Sequence, residues 1–303
     1  MVQATAFQGV RAPGASRPPQ VQRWTWTIRV AALVLGVSCS AGLIASDVPD
    51  IRVETLNAGT SGRDERKLAL QSLPLQRLTP EQRQKANAVL QDVSLFRRLP
   101  KIRCESDPRM HGYFCDHPDV AVSIWRAMGV SGLKMTKTAP GKYTCDAGDG
   151  TVGDMEVLYR TPSSSLVVCT GTFTSPLLPK PIKGAGLMHL QVTTQKDSLG
   201  NSLVTQQADM FISFPSQAVD FVARTIAPVT NKIMDKNFEE VSLFLRMMDE
   251  ASQVRPDWIY EVSGQLDGVK KEDAGKLVEL TKSIHAAHAP QIGAQPATTS
   301  AIR

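Results

Sequence analysis

Residues 133–214 carry their apolar side chains with a period of two, and a long helix-period stripe follows directly. Alternation by two marks strands that bury one face, and recurrence at three and four marks a helix that buries one side. Such a chain must lay an antiparallel sheet against a helix. Residues 133–138 and 142–147 flank an Ala-Pro-Gly turn, Asp149-Gly150 is a hairpin signal, and Met155, Val157 and Tyr159 alternate with Asp154, Glu156 and Leu158. Residues 166–173 are apolar on both faces, which places that strand centrally. The prolines of residues 175–186 prevent inner-strand pairing, and this stretch reads as a long loop. Two further strands carry Met188, Leu190 and Val192, then Val204, Ala208, Met210, Ile212 and Phe214, with a turn over 197–201. Pro215-Ser216 caps the long helix, whose stripe is Val222, Ile226, Val229, Ile233, Val241, Leu245 and Met248. Pro228 lacks an N–H and predicts a kink in it.

The flanks are helical. Thr79-Pro80-Glu81-Gln82 combines an N-cap, Pro at the first helical position and a capping-box Gln. A helix to about residue 98 should follow, burying Ala86, Leu90, Val93 and Phe96 or Leu95, until Pro100 stops it. Residues 102–105 can form a short strand, and Asp107-Pro108 and Asp116-His117-Pro118-Asp119 each open a short helix. In the second of these, Val120, Ile124, Trp125 and Met128 repeat at helical spacing up to Gly129. Residues 257–285 read as a helical hairpin broken at Asp267-Gly268. The expected organisation is 1–46 signal peptide or anchor, 47–99 linker and helix, 100–251 α+β domain, 252–288 helical hairpin and 289–303 loose tail.

The chain has 34 Lys+Arg against 29 Asp+Glu and a pI near 9.0, which raises the question of nucleic acid. Residues 1–46 hold Arg11, Arg17, Arg23 and Arg29 and no acid, so the remainder carries 30 basic against 29 acidic groups, a net +1. A body so nearly neutral has no electrostatic reason to seek DNA or RNA, and no nucleic acid partner is expected. The apolar run 30–45 lies between Arg29 and Asp47, the charge order of an export signal. It is short for a spanning helix, although Trp24 and Trp26 could extend it as an interfacial anchor. Cleaved or retained as a membrane tether, it places the rest of the chain outside the cytoplasm. Gly36 stands where a lipoprotein signal needs a bulky aliphatic before Cys39.

Export permits disulfides. Cys104 and Cys115 are the pair closer in sequence, whereas a whole strand separates Cys145 from Cys169 and leaves those two as buried thiols. Cys104, His111, Cys115 and His117 match no structural zinc spacing, so neither a metal nor a cofactor is expected. His189 falls opposite Met188 and Leu190 and should point to solvent; His111 and His117 suit caps or the surface; His285 and His288 suit a helix C-terminus. No nucleophile elbow, H-E-x-x-H, phosphate loop or dinucleotide fingerprint is present, which disfavours an enzyme.

One strand, two short helices, six antiparallel strands and a long helix, in that order over about residues 100–250, resemble the START-like or helix-grip superfamily, which includes lipid-transfer and polyketide-cyclase-like proteins. The pieces His117-Pro-Asp-Val-Ala-Val-Ser-Ile-Trp-Arg126, Gly150-Thr-Val-Gly153 and Ser213-Phe-Pro-Ser216 also resemble an uncharacterised family of exported bacterial proteins. The superfamily resemblance implies an α+β fold in which a curved antiparallel sheet grips the long helix around an apolar cavity. Periodicity nominates the lining: Met155, Val157, Tyr159, Val168, Met188, Leu190, Val192, Met210 and Ile212 from the sheet, and Val222, Ile226 and Ile233 from the helix. A plainly packed core would need the same face. The expected function is binding of a hydrophobic small molecule or lipid. The alternatives are a non-catalytic cell-envelope interaction protein and a cyclase- or hydrolase-like enzyme, which would need polar groups converging in the cavity.

Overall fold

The computed structural model describes residues 51–288 apart from 177–179 and residue 226, and the side chains of residues 218 and 222 are also left aside. The export-signal reading, Cys39 and the tail fall outside the described residues. Chain order is β1 Glu54–Asn57, α1 Arg63–Ser72, a 3-10 turn Leu75–Arg77, α2 Pro80–Leu90, β2 Leu95–Arg98, β3 Lys101–Glu105, α3 Pro108–Asp116 and α4 Pro118–Ala127. There follow β4 Lys134–Ala139, β5 Lys142–Asp146, β6 Thr151–Thr161, β7 Ser164–Phe173, β8 Ile182–Lys196 and β9 Ser202–Ser213. The chain continues with α5 Gln217–Thr225, α6 Ala227–Val254, α7 Pro256–Ser263 and α8 Lys271–His288. No helix among the described residues is long and apolar enough to cross a membrane.

The fold is α+β, with a large open antiparallel sheet in the order β1-β3-β9-β8-β7-β6-β5-β4. Strands β4 to β9 form an antiparallel meander, as their period and turn residues require. Gly150 turns the β5–β6 hairpin at φ +93°, and a Cβ there would meet the Thr174 carbonyl oxygen at 2.2 Å. The far edge of β9 is shared by two short strands, β2 pairing with residues 209–212 and β3 with residues 203–206. Arg98 and Asp209 face each other in that register and join through two hydrogen bonds, Nε to Oδ1 at 2.8 Å and Nη2 to Oδ2 at 3.0 Å.

Both faces of the sheet are covered, giving three layers. On the inner face Met210, Ile212 and Ala208 pack against Met234 and Phe238 of the long helix. Beside them α3, α4, α6, α7 and α8 share a second core around Ile124, Met248, Ile259 and Leu277. On the outer face Leu158, Leu166, Val168, Leu187 and Phe211 receive Ala69 and Leu73 of the N-terminal segment and Ala86 and Val89 of α2. The stretch expected as a linker thus carries a strand of the sheet and a helix of the outer layer.

Some local expectations change. Helix α2 ends at Leu90 rather than near residue 98, and Leu95–Arg98 is a strand instead: paired with β9, Leu95 reaches the inner core and Phe96 the outer one, so alternation outweighs helix propensity. The loop expected over residues 175–186 gives way at Ile182, where β8 begins and pairs with Phe173 of β7. Helical residues run Gln217–Thr225 and Ala227–Val254 on either side of residue 226, which lies outside the described residues, so the kink expected at Pro228 falls beside it. The capping box at Thr79 is formed: its N–H donates to Gln82 Oε1 at 3.0 Å and the Gln82 N–H to Thr79 Oγ1 at 3.3 Å. Thr79→Ala is expected to cost about 1 kcal/mol in urea unfolding, whereas a surface threonine without a cap would cost far less.

Candidate functional site

A cavity of about 200 Å³ lies between the inner face of the sheet and helices α3, α4 and α6. The sheet supplies Met155, Met188 and Leu190, and the long helix Phe238, Val241 and Leu245. Opposite, Phe114, Trp125 and Phe244 meet edge to face, with ring centroids 5.3 Å apart in each contact with Phe244. Such contacts add rigidity to a wall made of carbon. The methionines on the facing wall are adaptable and polarisable, which suits a ligand of variable shape. Three thiols also border the space, Cys115 from α3, Cys145 from β5 and Cys169 from β7. Gln206 is the polar side chain that joins them from β9.

Of the nominated lining, Met155, Met188 and Leu190 border this cavity. Met210 and Ile212 share the inner face but lie in the packed core beyond it, and Val192 packs with Cys104 and Val204 at the other end of the sheet. Val157 is half-buried over Gly141, and Ile233 is half-buried on α6 away from the cavity wall. The side chains of Val222 and Ile226 fall outside the described residues. Val168 and Tyr159 turn to the outer face instead. Val168 pairs with Leu187 and packs beneath the N-terminal helices, and a β-bulge between Val157 and Tyr159 inserts Leu158 and reverses the alternation beyond it.

Cys104 and Cys115 form no disulfide; all four described cysteines are free thiols. Cys115 lies instead 3.7 Å from Nδ1 of His111, whose Nε2 is 2.9 Å from Oε1 of Gln206. His111 is therefore buried within a polar network, not at a cap or on the surface. His189 is also buried: it does point away from Met188 and Leu190, but that face is covered. Its Nε2 lies 2.9 Å from Ser164 Oγ, and burial pushes the imidazole below its ordinary value while Asp209 pulls it up. His117 stands 3.5 Å from Asp273, a carboxylate that also holds Lys137 and Lys276 at 3.1 Å each and so ties α8 to β4. Among the described residues no group of three or more His, Cys, Asp or Glu could hold a metal ion.

The polar side of the cavity wall was not anticipated from sequence. Its signal was nevertheless present. The alternation that turns Val204 and Ala208 inward turns Gln206 inward as well, and His111 and Cys115 are spaced to share one face of a helix.

No protein-family model matches the chain, and no curated protein does. Among solved structures, a conserved protein from Geobacillus kaustophilus is similar at 10% identity and a TM-score of 0.37, over 50% of this chain and 93% of that one. An uncharacterized protein from Rhizobium leguminosarum is similar at 14% identity and a TM-score of 0.28, over 48% of this chain and 91% of that one. At such TM-scores neither likeness carries weight on fold detail or function.

Proposed function

We propose that this is an exported protein, cleaved or tethered by its N-terminal segment, whose helix-grip domain of the START-like kind binds a small hydrophobic molecule. The observation that carries the reading is the apolar cavity between the sheet and the long helix. Its size narrows the ligand. An apolar cavity of about 150 Å³ holds benzene, so about 200 Å³ takes on the order of ten non-hydrogen atoms. A single short chain or a fused-ring compound fits; a whole two-chain lipid does not.

Nonanol is a suitable probe, since it has about ten non-hydrogen atoms and no electrophilic centre. At about 0.6 kcal/mol per atom it should bind with about 6 kcal/mol, a Kd of tens of micromolar, measured by titration calorimetry. Ala121 lines the cavity from α4. Ala121→Phe should fill the space and weaken nonanol at least about tenfold while leaving a folded protein, because the added ring occupies a void instead of overpacking a filled core. Undetectable binding to the unmodified protein, or equal binding to Ala121→Phe, would remove the cavity as the ligand site.

A further inference from the structure

The His111, Cys115, Gln206 and Ser242 cluster borders the cavity, and holding an inert apolar ligand gives it nothing to do. His111 and Cys115 are one helical turn apart on α3, so their side chains leave the same face. Beyond the His111–Gln206 contact, Nε2 of Gln206 donates to Ser242 Oγ at 2.6 Å, and that hydroxyl donates to the Phe238 carbonyl at 2.7 Å. These bonds have one consistent direction. Ser242 owns a single proton and gives it to Phe238, so toward Gln206 it can only accept; the amide NH₂ faces Ser242 and the amide oxygen faces His111. Nε2 of His111 therefore carries hydrogen. In the neutral ring Nδ1 is then the bare nitrogen, and it is the one aimed at the thiol. His111, Gln206 and Ser242 are 4%, 3% and 0% exposed, so bulk water does not compete for these bonds.

The four described thiols are not equivalent. Burial pushes Cys104 and Cys145 up to about 11 and Cys169 up to about 12. Burial opposes ionisation of Cys115 too, but His111 and then Arg160 outweigh it and hold this thiol below its ordinary value. For His111, burial disfavours the charge, and Cys115 and Gln206 outweigh that and hold the imidazole above its ordinary value. A base within reach of a thiol, itself oriented by a third group, is the arrangement that activates a nucleophile.

We propose that Cys115 is a nucleophilic thiol that bonds covalently to an apolar α,β-unsaturated carbonyl compound enclosed in the cavity, with His111 as its base and Gln206 as the residue that positions His111. The proposal rests on the cavity being an apolar ligand site. His111 Nδ1 takes the thiol proton as Sγ bonds to the β-carbon; the carbon–carbon π pair moves to the α-carbon as an enolate; the imidazolium then returns its proton to that α-carbon. Every atom is retained, and no oxidant or reductant takes part.

Nonenal, the unsaturated counterpart of nonanol, tests this on the full chain by mass spectrometry of the intact protein and its peptides. The expected product is Cys115 carrying the mass of the whole aldehyde, with no water lost as a lysine imine would require. Cys104, Cys145 and Cys169 should react at least about 100-fold more slowly, and excess nonanol should slow Cys115. His111→Gln should lower the Cys115 rate about 100-fold while nonanol still binds, which shows that the variant is folded. Gln206→Glu, which keeps an acceptor for Nε2–H, should retain most of the rate, and Gln206→Leu should lose about tenfold of it. Nonanol binding with no adduct, an adduct rate equal to that of Cys145 and Cys169, or an undiminished rate in His111→Gln would each overturn the proposal and leave the cavity reading standing. Failure of both nonanol and nonenal would overturn the two together.

Discussion

Replacing Arg98 with Met is expected to cost the folded protein about 3–5 kcal/mol. Asp209 is 2% exposed, and Arg98 is its bidentate partner across the β2–β9 register. Without the guanidinium the carboxylate remains in a dry interior, beneath helices that deny it water. Removing one member of a buried pair is far costlier than the pair's own net worth, because the survivor keeps its full desolvation penalty. The second substitution should therefore repair much of the first. In urea unfolding of the single variants Arg98→Met and Asp209→Asn and of the double variant, the double should be at least about 2 kcal/mol more stable than the sum of the singles predicts. Strict additivity would show that the two side chains do not depend on each other.

The second large effect is a pH dependence. Asp249 on α6 is fully buried, accepts from the Asp107 N–H and from Gln253 Nε2 at 2.9 Å each, and lies 3.6 Å from Arg246. Burial raises its carboxyl to about 6, against the opposing pull of the Asp107 backbone hydrogen bond and of Arg246. A folded-state value above the unfolded one means that the native state holds the proton more tightly. That contribution to stability is fully present below the unfolded value of about 4, declines as pH rises, and is lost once pH passes about 6. About two units correspond to about 3 kcal/mol. Asn at 249 does not titrate. The stability of Asp249→Asn relative to the unmodified protein should therefore improve by about 3 kcal/mol between about pH 4 and pH 7 in urea titrations. A difference that stays constant over that range would assign the buried carboxyl an ordinary value.

Element types were largely legible because most of them obey local rules. The capping box at Thr79, the Pro-opened helices α3 and α4, and the strands β4 to β9 each state their period or their punctuation within a few residues. What sequence could not show was which elements lie on which side. Alternation says that His189 and Met188 face opposite ways; it does not say that α1 and α2 cover the face His189 points to. A single bulge near Leu158 sends Tyr159 to the outer layer, and nothing in the alternating pattern announces an extra residue. Leu95–Arg98 is a strand because β9 has an open edge there, a fact set by residues more than a hundred positions later. The thiol–imidazole network is of the same kind. Its helical spacing could be read, whereas Gln206 and Ser242 reach it from a strand and a helix far away in the chain.

The shared edge of β9 also bears on timing. Arg98 and Asp209 are separated by 111 positions, and Asp107 and Asp249 by 142. Although β1 can pair with β3 locally, the β9-facing edges of β2 and β3 must wait for the last strand of the meander. Closing so long a loop is slow, since the entropy of bringing the ends together is lost before any contact rewards it. The first half of the chain therefore leaves the ribosome with the β9-facing edges of β2 and β3 unpaired and with the apolar side chains of α1 and α2 still facing water. A chaperone or a translocation channel that accepts only unfolded chains has, in that interval, a substrate that cannot close on itself too early.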